Sequence, residues 1–301
     1  MEEERLLASW HMTNFCNFNC HYCYCNTKEG IEKELPVDKI INSLKKTGRD
    51  CNLNMTGGEP FLFPNFIELC KALTENDIKI SIDTNLSIDS KVKEFINTIN
   101  PVDVKYLYIS THIEEREKRN GVDKFIENLL LLKEKNFHFG VNYVLHPTLF
   151  KRFKKDYDYF ESKGIKLNVK PFKGLYNGKK YPLSYTNKEK KVLLKNDPGV
   201  FRNLPFDSKG VKCNAGKTMV RIQINGDVSR CVADKTKMGN IFMEIKLNED
   251  AKPCIVDRCP CFGVKLIQDP KKIEEIKKGF SEEKKSFISK ISDFVLDFLS
   301  K

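Results

Sequence analysis

No apolar run in the chain is long enough to cross a membrane. The purest, Leu129-Leu130-Leu131-Leu132, falls far short of the roughly 20 residues a helical span needs. A secretory signal is missing too: the start, Met1-Glu2-Glu3-Glu4-Arg5, is acidic, and no apolar signal segment follows it. Both absences predict a cytoplasmic protein with no membrane partner. The 11 cysteines are clustered and nothing points to export, so they read as metal-binding or catalytic rather than as a disulfide framework. No recognised nucleic-acid motif accompanies the net charge of +11, which argues against nucleic acid as a partner. The charge reads either as attraction for an anionic partner, such as a phosphate or nucleotide sugar, or as a solvated lysine-rich surface. There is no internal repeat beyond an alternation of β-like and helical patterns.

That alternation carries the fold. A length of 301 residues with 40% hydrophobic composition allows one large domain and a small one. Strands are expected at Leu6 to Trp10, Leu53 to Thr56, Ile78 to Ile82, Val104 to Ser110, Phe137 to Leu145 and Ile165 to Pro171. Helices are expected between them at Pro36 to Lys46, Pro64 to Leu73, Val92 to Ile99, Val122 to Lys135 and Lys151 to Ser162. Strand-then-helix units in series predict a parallel sheet with right-handed crossovers. The expected fold class is therefore α/β, a partial (β/α)6 TIM-like barrel with its working loops at the C-terminal strand ends. Residues 1–172 are assigned to the barrel, 173–212 to an insert, 213–265 to a small cysteine-rich β-hairpin domain, and 266–301 to a helical tail. The hairpin runs from Met219 to Asp234 and turns at Asn225-Gly226. The tail's stripe of Phe287, Ile288, Ile291, Phe294, Val295 and Phe298 reads as the face of a docked helix.

Cys16, Cys20 and Cys23 follow the first strand in a C-x3-C-x2-C spacing. Three thiolates on one loop can hold three irons of a cubane iron–sulfur cluster. No fourth cysteine has comparable spacing, so one iron is left open, unlike a zinc knuckle, which closes its coordination sphere. Thr56-Gly57-Gly58-Glu59-Pro60 ends the second strand. The triplet, the aromatic Tyr22 before its third cysteine, and this GGEP turn together resemble the radical SAM superfamily over about residues 5 to 172.

The resemblance implies a 4Fe–4S cluster whose open iron chelates S-adenosylmethionine. It also implies cleavage of that cofactor to a 5′-deoxyadenosyl radical, which abstracts a substrate hydrogen atom. Glu59 would then accept a hydrogen bond from the cofactor's ammonium group, with Gly57 and Gly58 letting the backbone approach. Thr84-Asn85 falls where the family often has a TNG-like cofactor contact. Ser110 and Arg119 resemble parts of an S-x-D-G…R pattern and become candidates for ribose and carboxylate contacts. Here His112 stands at the acidic position and Ile113 at the glycine, so His112 is a candidate to face the substrate. Asn142 is a further cofactor-binding candidate. Cys25 breaks the spacing and is not counted as a ligand, and Cys51 and Cys70 are expected to be buried.

A second cysteine set comprises Cys213, Cys231, Cys254, Cys259 and Cys261. With Gly216 and Gly239-Asn240-Ile241 it resembles the SPASM/twitch extension of radical SAM enzymes. Five cysteines suffice for one auxiliary 4Fe–4S cluster and are too few for two fully cysteine-ligated cubanes. Cys213 and Cys231 lead as ligands, the choice among the last three is open, and a zinc site is the alternative.

Three functions are consistent with these residues. The first is oxidation of a small, sugar-like or anionic molecule, with the auxiliary cluster accepting an electron and a flavodoxin or ferredoxin as reductant. The second is modification of a peptide by cross-linking or epimerisation. The third, from another class, is a non-catalytic iron–sulfur scaffold or nucleic-acid-binding protein. With 15 residues before Cys16, no leader-binding domain is expected, which favours a small substrate. Sulfatase-maturing relatives carry Asp directly after the cysteine that ends this hairpin; Val232 stands there and cannot act as a base. Residues Phe172 to Phe206 read either as a solvated connector or as a lid. In the lid reading Lys173, Lys179 and Lys180 receive an anionic group, and Tyr176, Tyr181 or Tyr185 lies near the reacting carbon. The proton or hydrogen donor is not fixed by the sequence; Tyr176, Tyr181 and His112 are the candidates.

Overall fold

The computed structural model describes residues 5–23, 33–196, 206–259 and 266–278. Cys25, Cys261 and the apolar stripe of the tail lie outside them. The first half alternates β1 (Leu6–Thr13), α1 (Val37–Lys45), β2 (Cys51–Gly57), α2 (Phe66–Glu75), β3 (Lys79–Thr84), α3 (Asp89–Thr98) and β4 (Val104–Ser110). It continues with α4 (Ile113–Glu117), α5 (Val122–Glu134), β5 (Phe139–Leu145), α6 (Phe150–Ser162) and β6 (Leu167–Pro171). Each helix buries the stripe its periodicity marks: Ile40, Ile41 and Leu44 in α1, and Phe66, Leu69, Cys70 and Leu73 in α2. Cys51 is buried as well. Expected strand positions are met throughout. Helix α3 starts earlier than its apolar stripe, because Asp89 supplies the negative charge a first turn favours.

Strands β1 to β6 pair in sequence order and in parallel, as right-handed strand–helix units dictate. The insert forms a small antiparallel hairpin, β7 (Gly174–Tyr176) and β8 (Lys179–Tyr181), followed by α7 (Asn187–Asn196). Its turn, Asn177-Gly178, has positive φ at both residues, the backbone that Asn-Gly favours.

After β9 (Phe206–Asp207) and β10 (Lys212–Cys213) come β11 (Met219–Ile222), β12 (Asp227–Ser229), β13 (Lys237–Asn240) and β14 (Glu244–Ile245). These four continue the barrel sheet on its free edge: β11 runs parallel to β1, with Leu7 opposite Met219 and Trp10 opposite Ile222. The result is a single ten-stranded sheet. Trp10 is buried in this seam, its indole N–H donating to Gln223 O at 3.2 Å. Strands β15 (Lys252–Pro253) and β16 (Arg258–Cys259) pair with β10 and β9, and residues 270–278 are helical. Among the described residues no helix is long and apolar enough to cross a membrane.

Candidate functional site

The cysteine loop leaves the C-terminal end of β1 and is held by backbone contacts. Cys23 N–H donates to Cys20 O at 3.0 Å, and Phe18 N–H points at Cys16 Sγ at 3.4 Å. Burial first, then the nearby Cys23, Glu115 and Cys16, pushes the Cys20 thiol up to about 12. Cys23 adds to the rise of both Cys16 and Cys20, and thiols so placed suit a metal cluster that displaces their protons. The residues therefore fit a cubane with three protein ligands.

Gly57 and Gly58 bring β2 against this loop. Gly58 N–H donates to Thr13 O at 2.6 Å and Glu59 N–H to Phe15 O at 2.9 Å. A Cβ on Gly58 would lie 1.9 Å from Phe15 O, and Gly57 has a φ of +137°. The room the glycines leave is taken by the cysteine loop, so they fix where the three sulfurs stand.

Glu59 is fully buried. Its Oε1 accepts from Thr84 Oγ1 at 2.8 Å and Phe61 N–H at 3.1 Å, and its Oε2 from Asn85 N–H at 2.6 Å. Burial raises its pKa to about 7 against these donors. Asn85 reaches on, its amide nitrogen contacting Asn17 Oδ1 at 2.9 Å and Cys16 Sγ at 3.6 Å.

Two arginines lie beyond β4, and they do different work. Arg119, the sequence candidate, is half-exposed: it binds Glu115 Oε2 at 2.6 Å and Asn17 O at 3.0 Å. Glu115 in turn accepts from Asn19 N–H at 2.9 Å. Burial opposes that carboxylate, but Asn19, Lys118 and Arg119 outweigh it and hold its pKa at about 2. The pair clamps the cysteine loop. Arg116, which sequence reasoning missed, is buried and donates to the carbonyls of Thr111, Asn85 and Ser110, its guanidinium 3.4 Å above the Phe125 ring. It sits in the short helix α4, which carries too few residues for a periodic signal.

Ser110 ends β4 opposite Asn142 of β5, whose carbonyl accepts from Thr111 N–H. His112 has left-handed φ and its Nδ1 lies 3.1 Å from Tyr22 OH. His146, also missed, follows β5 and is buried. Its Nδ1 lies 3.2 Å from His21 Nε2, and its ring meets Tyr22, Phe172 and Tyr176. Tyr176 thus reaches the mouth. Tyr181 packs against Phe172 and Tyr185 beneath the hairpin, and Tyr185 OH donates to Leu145 O at 2.6 Å. Lys173, Lys179 and Lys180 are exposed.

Of the second cysteine set, Cys213 and Cys231 lie towards the other end of β1. Cys213 precedes β11, and Cys231 follows β12 where that strand has returned to the level of Met219. Burial raises the Cys213 thiol, with Cys254 and Cys259 adding to the rise. Cys231 Sγ accepts from Asp234 N–H at 3.2 Å. The hub is Arg230, buried against Asp234 at 2.9 Å, which donates to Ala215 O, Cys213 O, Lys252 O and Pro253 O. Cys213, Cys231 and Cys254 each adjoin a group that Arg230 holds.

Residues 10–159 match the family model of the radical SAM superfamily. Those residues form a radical SAM domain. Proteins of this superfamily bind a 4Fe–4S cluster and S-adenosylmethionine. The S-adenosylmethionine-dependent nucleotide dehydratase of Fibrobacter sp. (strain UWH6) is 33% identical over 35% of this chain and 34% of its own length. The radical SAM cyclopropyl synthase TigE of Paramaledivibacter caminithermalis is 26% identical over 48% of this chain and 36% of its own. The matched segment thus spans about a third of each curated relative. Streptococcus suis SuiB bound to S-adenosylmethionine shares the fold, with a TM-score of 0.54 and 19% identity over 79% of this chain and 63% of that one. The radical SAM domain thus includes the Cys16 triplet, the Gly57-Gly58-Glu59 turn and the Arg116 hub.

Proposed function

We propose that the chain is an oxidative radical SAM enzyme acting on a small, sugar-like or anionic molecule, with an auxiliary 4Fe–4S cluster as electron acceptor. Cys16, Cys20 and Cys23 hold the first cluster. Glu59 keeps one lone-pair direction beyond its three donors and takes the ammonium of S-adenosylmethionine there, with Asn85 beside it and Tyr22 as a further contact. Ser110 and Asn142 stand at the next strand ends, where the rest of the cofactor lies. Arg119 positions the loop rather than meeting the cofactor's carboxylate. Cys213, Cys231, Cys254 and Cys259 hold the second cluster. When bound, the cofactors supply the hydrogen-atom abstraction and the one-electron oxidation that follows it; a flavodoxin or ferredoxin supplies the reducing electron.

One observation carries this reading: the Cys16 triplet and the pair Cys213 and Cys231 stand towards opposite ends of one strand. From Leu7 to Thr13, β1 rises about 20 Å at roughly 3.3 Å per residue, so a substrate inside the barrel lies between them. Anaerobic iron and sulfide analysis of a Cys16, Cys20 and Cys23 triple-alanine variant tests it. About four irons retained support the second site; none retained refutes it. A peptide reading draws support from the likeness to SuiB, solved with its precursor peptide SuiA. Solvent deuterium at carbon without net oxidation would favour epimerisation over oxidation.

A further inference from the structure

The positive charge of the chain is not spread evenly. Residues 151–195 hold 14 lysines and arginines against four acids, so this one segment carries +10 of the net +11. It comprises α6, β6 and the insert up to α7. Helix α6 neutralises part of its own share: Arg152 pairs with Asp156 and Glu117, and Lys154 with Asp158. Glu161 stands near the C-terminal end of α6, which points away from the barrel mouth because α6 begins where β5 ends. The insert has no such balance. Between Lys173 and Lys195 the one acid is Glu189, and Thr186 takes it: the Thr186 N–H and Oγ1 donate to its Oε2 at 2.7 and 2.9 Å. Lys173, Lys179, Lys180, Lys188, Lys191 and Lys195 are exposed and form no ion pair among the described residues. Across the mouth, Glu114 faces His21 Nδ1 at 3.5 Å.

These lysines stand on a fixed platform beside the first cysteine set. On α7, Lys188, Lys191 and Lys195 recur at i, i+3 and i+7 and stripe the side opposite the buried Leu193. At the hairpin, Lys180 lies opposite Leu175 and shares its face. Tyr176, next along β7, turns the other way, and its ring centroid lies 4.6 Å from that of His146. His146 in turn lies 4.5 Å from His21, the residue that follows Cys20. Two ring contacts thus join the hairpin to the loop of the Cys16 triplet. Leu175 and Leu183, in the same segment, are 76% and 72% exposed. A phosphate backbone offers nothing to a leucine, whereas an apolar centre within a polar rim is how protein interfaces are built.

We propose that the insert is the docking face for an acidic one-electron carrier protein that reduces the first cluster. The carrier loses one electron and the cluster gains one. Opposite charge steers the encounter and raises its rate, and the contact stays small and short-lived, as electron-transfer encounters are. The exposed leucines give the carrier an apolar contact inside the lysine rim. This assignment rests on the radical reading, and it gives the reductant of that reading a place on the chain.

Surface plasmon resonance on the reconstituted, immobilised protein tests it. The probes are an acidic flavodoxin, a plant-type ferredoxin, a single-stranded RNA oligonucleotide and phosphatidylserine vesicles. The expected result is binding of at least one carrier, weakened about tenfold or more as salt rises from about 0.05 to 0.5 M. Lys179→Glu with Lys180→Glu, and Lys188→Glu with Lys191→Glu, should each weaken it about tenfold or more at low salt. Lys39→Glu with Lys105→Glu changes the net charge equally, at exposed lysines of α1 and β4, and should leave binding within about twofold of wild type. All three variants should keep the wild-type melting temperature, which separates lost docking from lost folding. Binding of RNA or vesicles alone, of none of the probes, or to the same degree in wild type and both insert variants overturns the assignment, as does equal weakening in all three variants. Formation of 5′-deoxyadenosine by the wild type with dithionite in place of the carrier reads the radical chemistry separately, so the two claims can fail independently.

Discussion

Glu59 and Arg116 grip Asn85 from its two sides: Glu59 Oε2 accepts the Asn85 N–H, and Arg116 Nη2 donates to the Asn85 carbonyl. Through this one residue the buried carboxylate at the end of β2 and the buried guanidinium of α4 are joined at the end of β3. Asn85 then carries the linkage to the cysteine loop through Asn17 and Cys16.

Arg116 should be irreplaceable by lysine. One ammonium cannot serve three carbonyls in the guanidinium's plane or lie flat on Phe125. Arg116→Lys and Arg116→Met should each cost about 3 kcal/mol, with carbonyls left buried and unpaired, as read from denaturant unfolding of the reconstituted protein.

Glu59 should make stability and cofactor binding depend on pH. Its folded pKa of about 7 lies above the ordinary 4.5. The folded state therefore keeps a proton that the unfolded chain releases between those values. Stability falls as pH rises through that window, and the contribution is fully lost above about pH 7. The slope should flatten in Glu59→Gln relative to wild type. The ammonium of S-adenosylmethionine favours the ionised carboxylate, so binding near pH 6 should release a proton; calorimetry in buffers of different ionisation enthalpy measures it.

Gly58→Ala should disturb the first cluster and spare the second. The added methyl would overlap Phe15 O at 1.9 Å, and backbone cannot step aside as a side chain can. About half of the reconstituted iron should be lost, while the second cysteine set keeps its share.

Arg230 should matter in the opposite sense. Arg230→Met, in the triple-alanine background, should abolish the remaining iron, since Ala215, Lys252 and Pro253 lose their common donor and Asp234 is left buried without its cation. Iron content and the visible absorption of the cluster read this directly.

The barrel was legible in the sequence because its strands and helices differ in period and follow one another in strict alternation. Cys16, Cys20, Cys23 and the Gly57-Gly58-Glu59 turn were legible because spacing in the chain carries their chemistry. What escaped depends on contacts between distant segments. Arg116 and Arg119 both follow β4, and only packing tells the buried hub from the exposed clamp. His146 meets His21 across 125 residues of chain. The Asn177-Gly178 turn gave the same signal as Asn225-Gly226, but strands of three residues on each side leave no alternation to read. The joining of β11 to β1 is a long-range pairing, and no local pattern in Met219–Ile222 names its partner.

The central claim is that Cys16, Cys20 and Cys23 support reductive cleavage of S-adenosylmethionine. Chromatography of reaction mixtures from anaerobically reconstituted and reduced protein tests it most directly. Wild type should form 5′-deoxyadenosine and methionine, and the triple-alanine variant should form neither. A wild type that carries its full iron and yields no 5′-deoxyadenosine, or a variant that yields as much as the wild type, would contradict the claim.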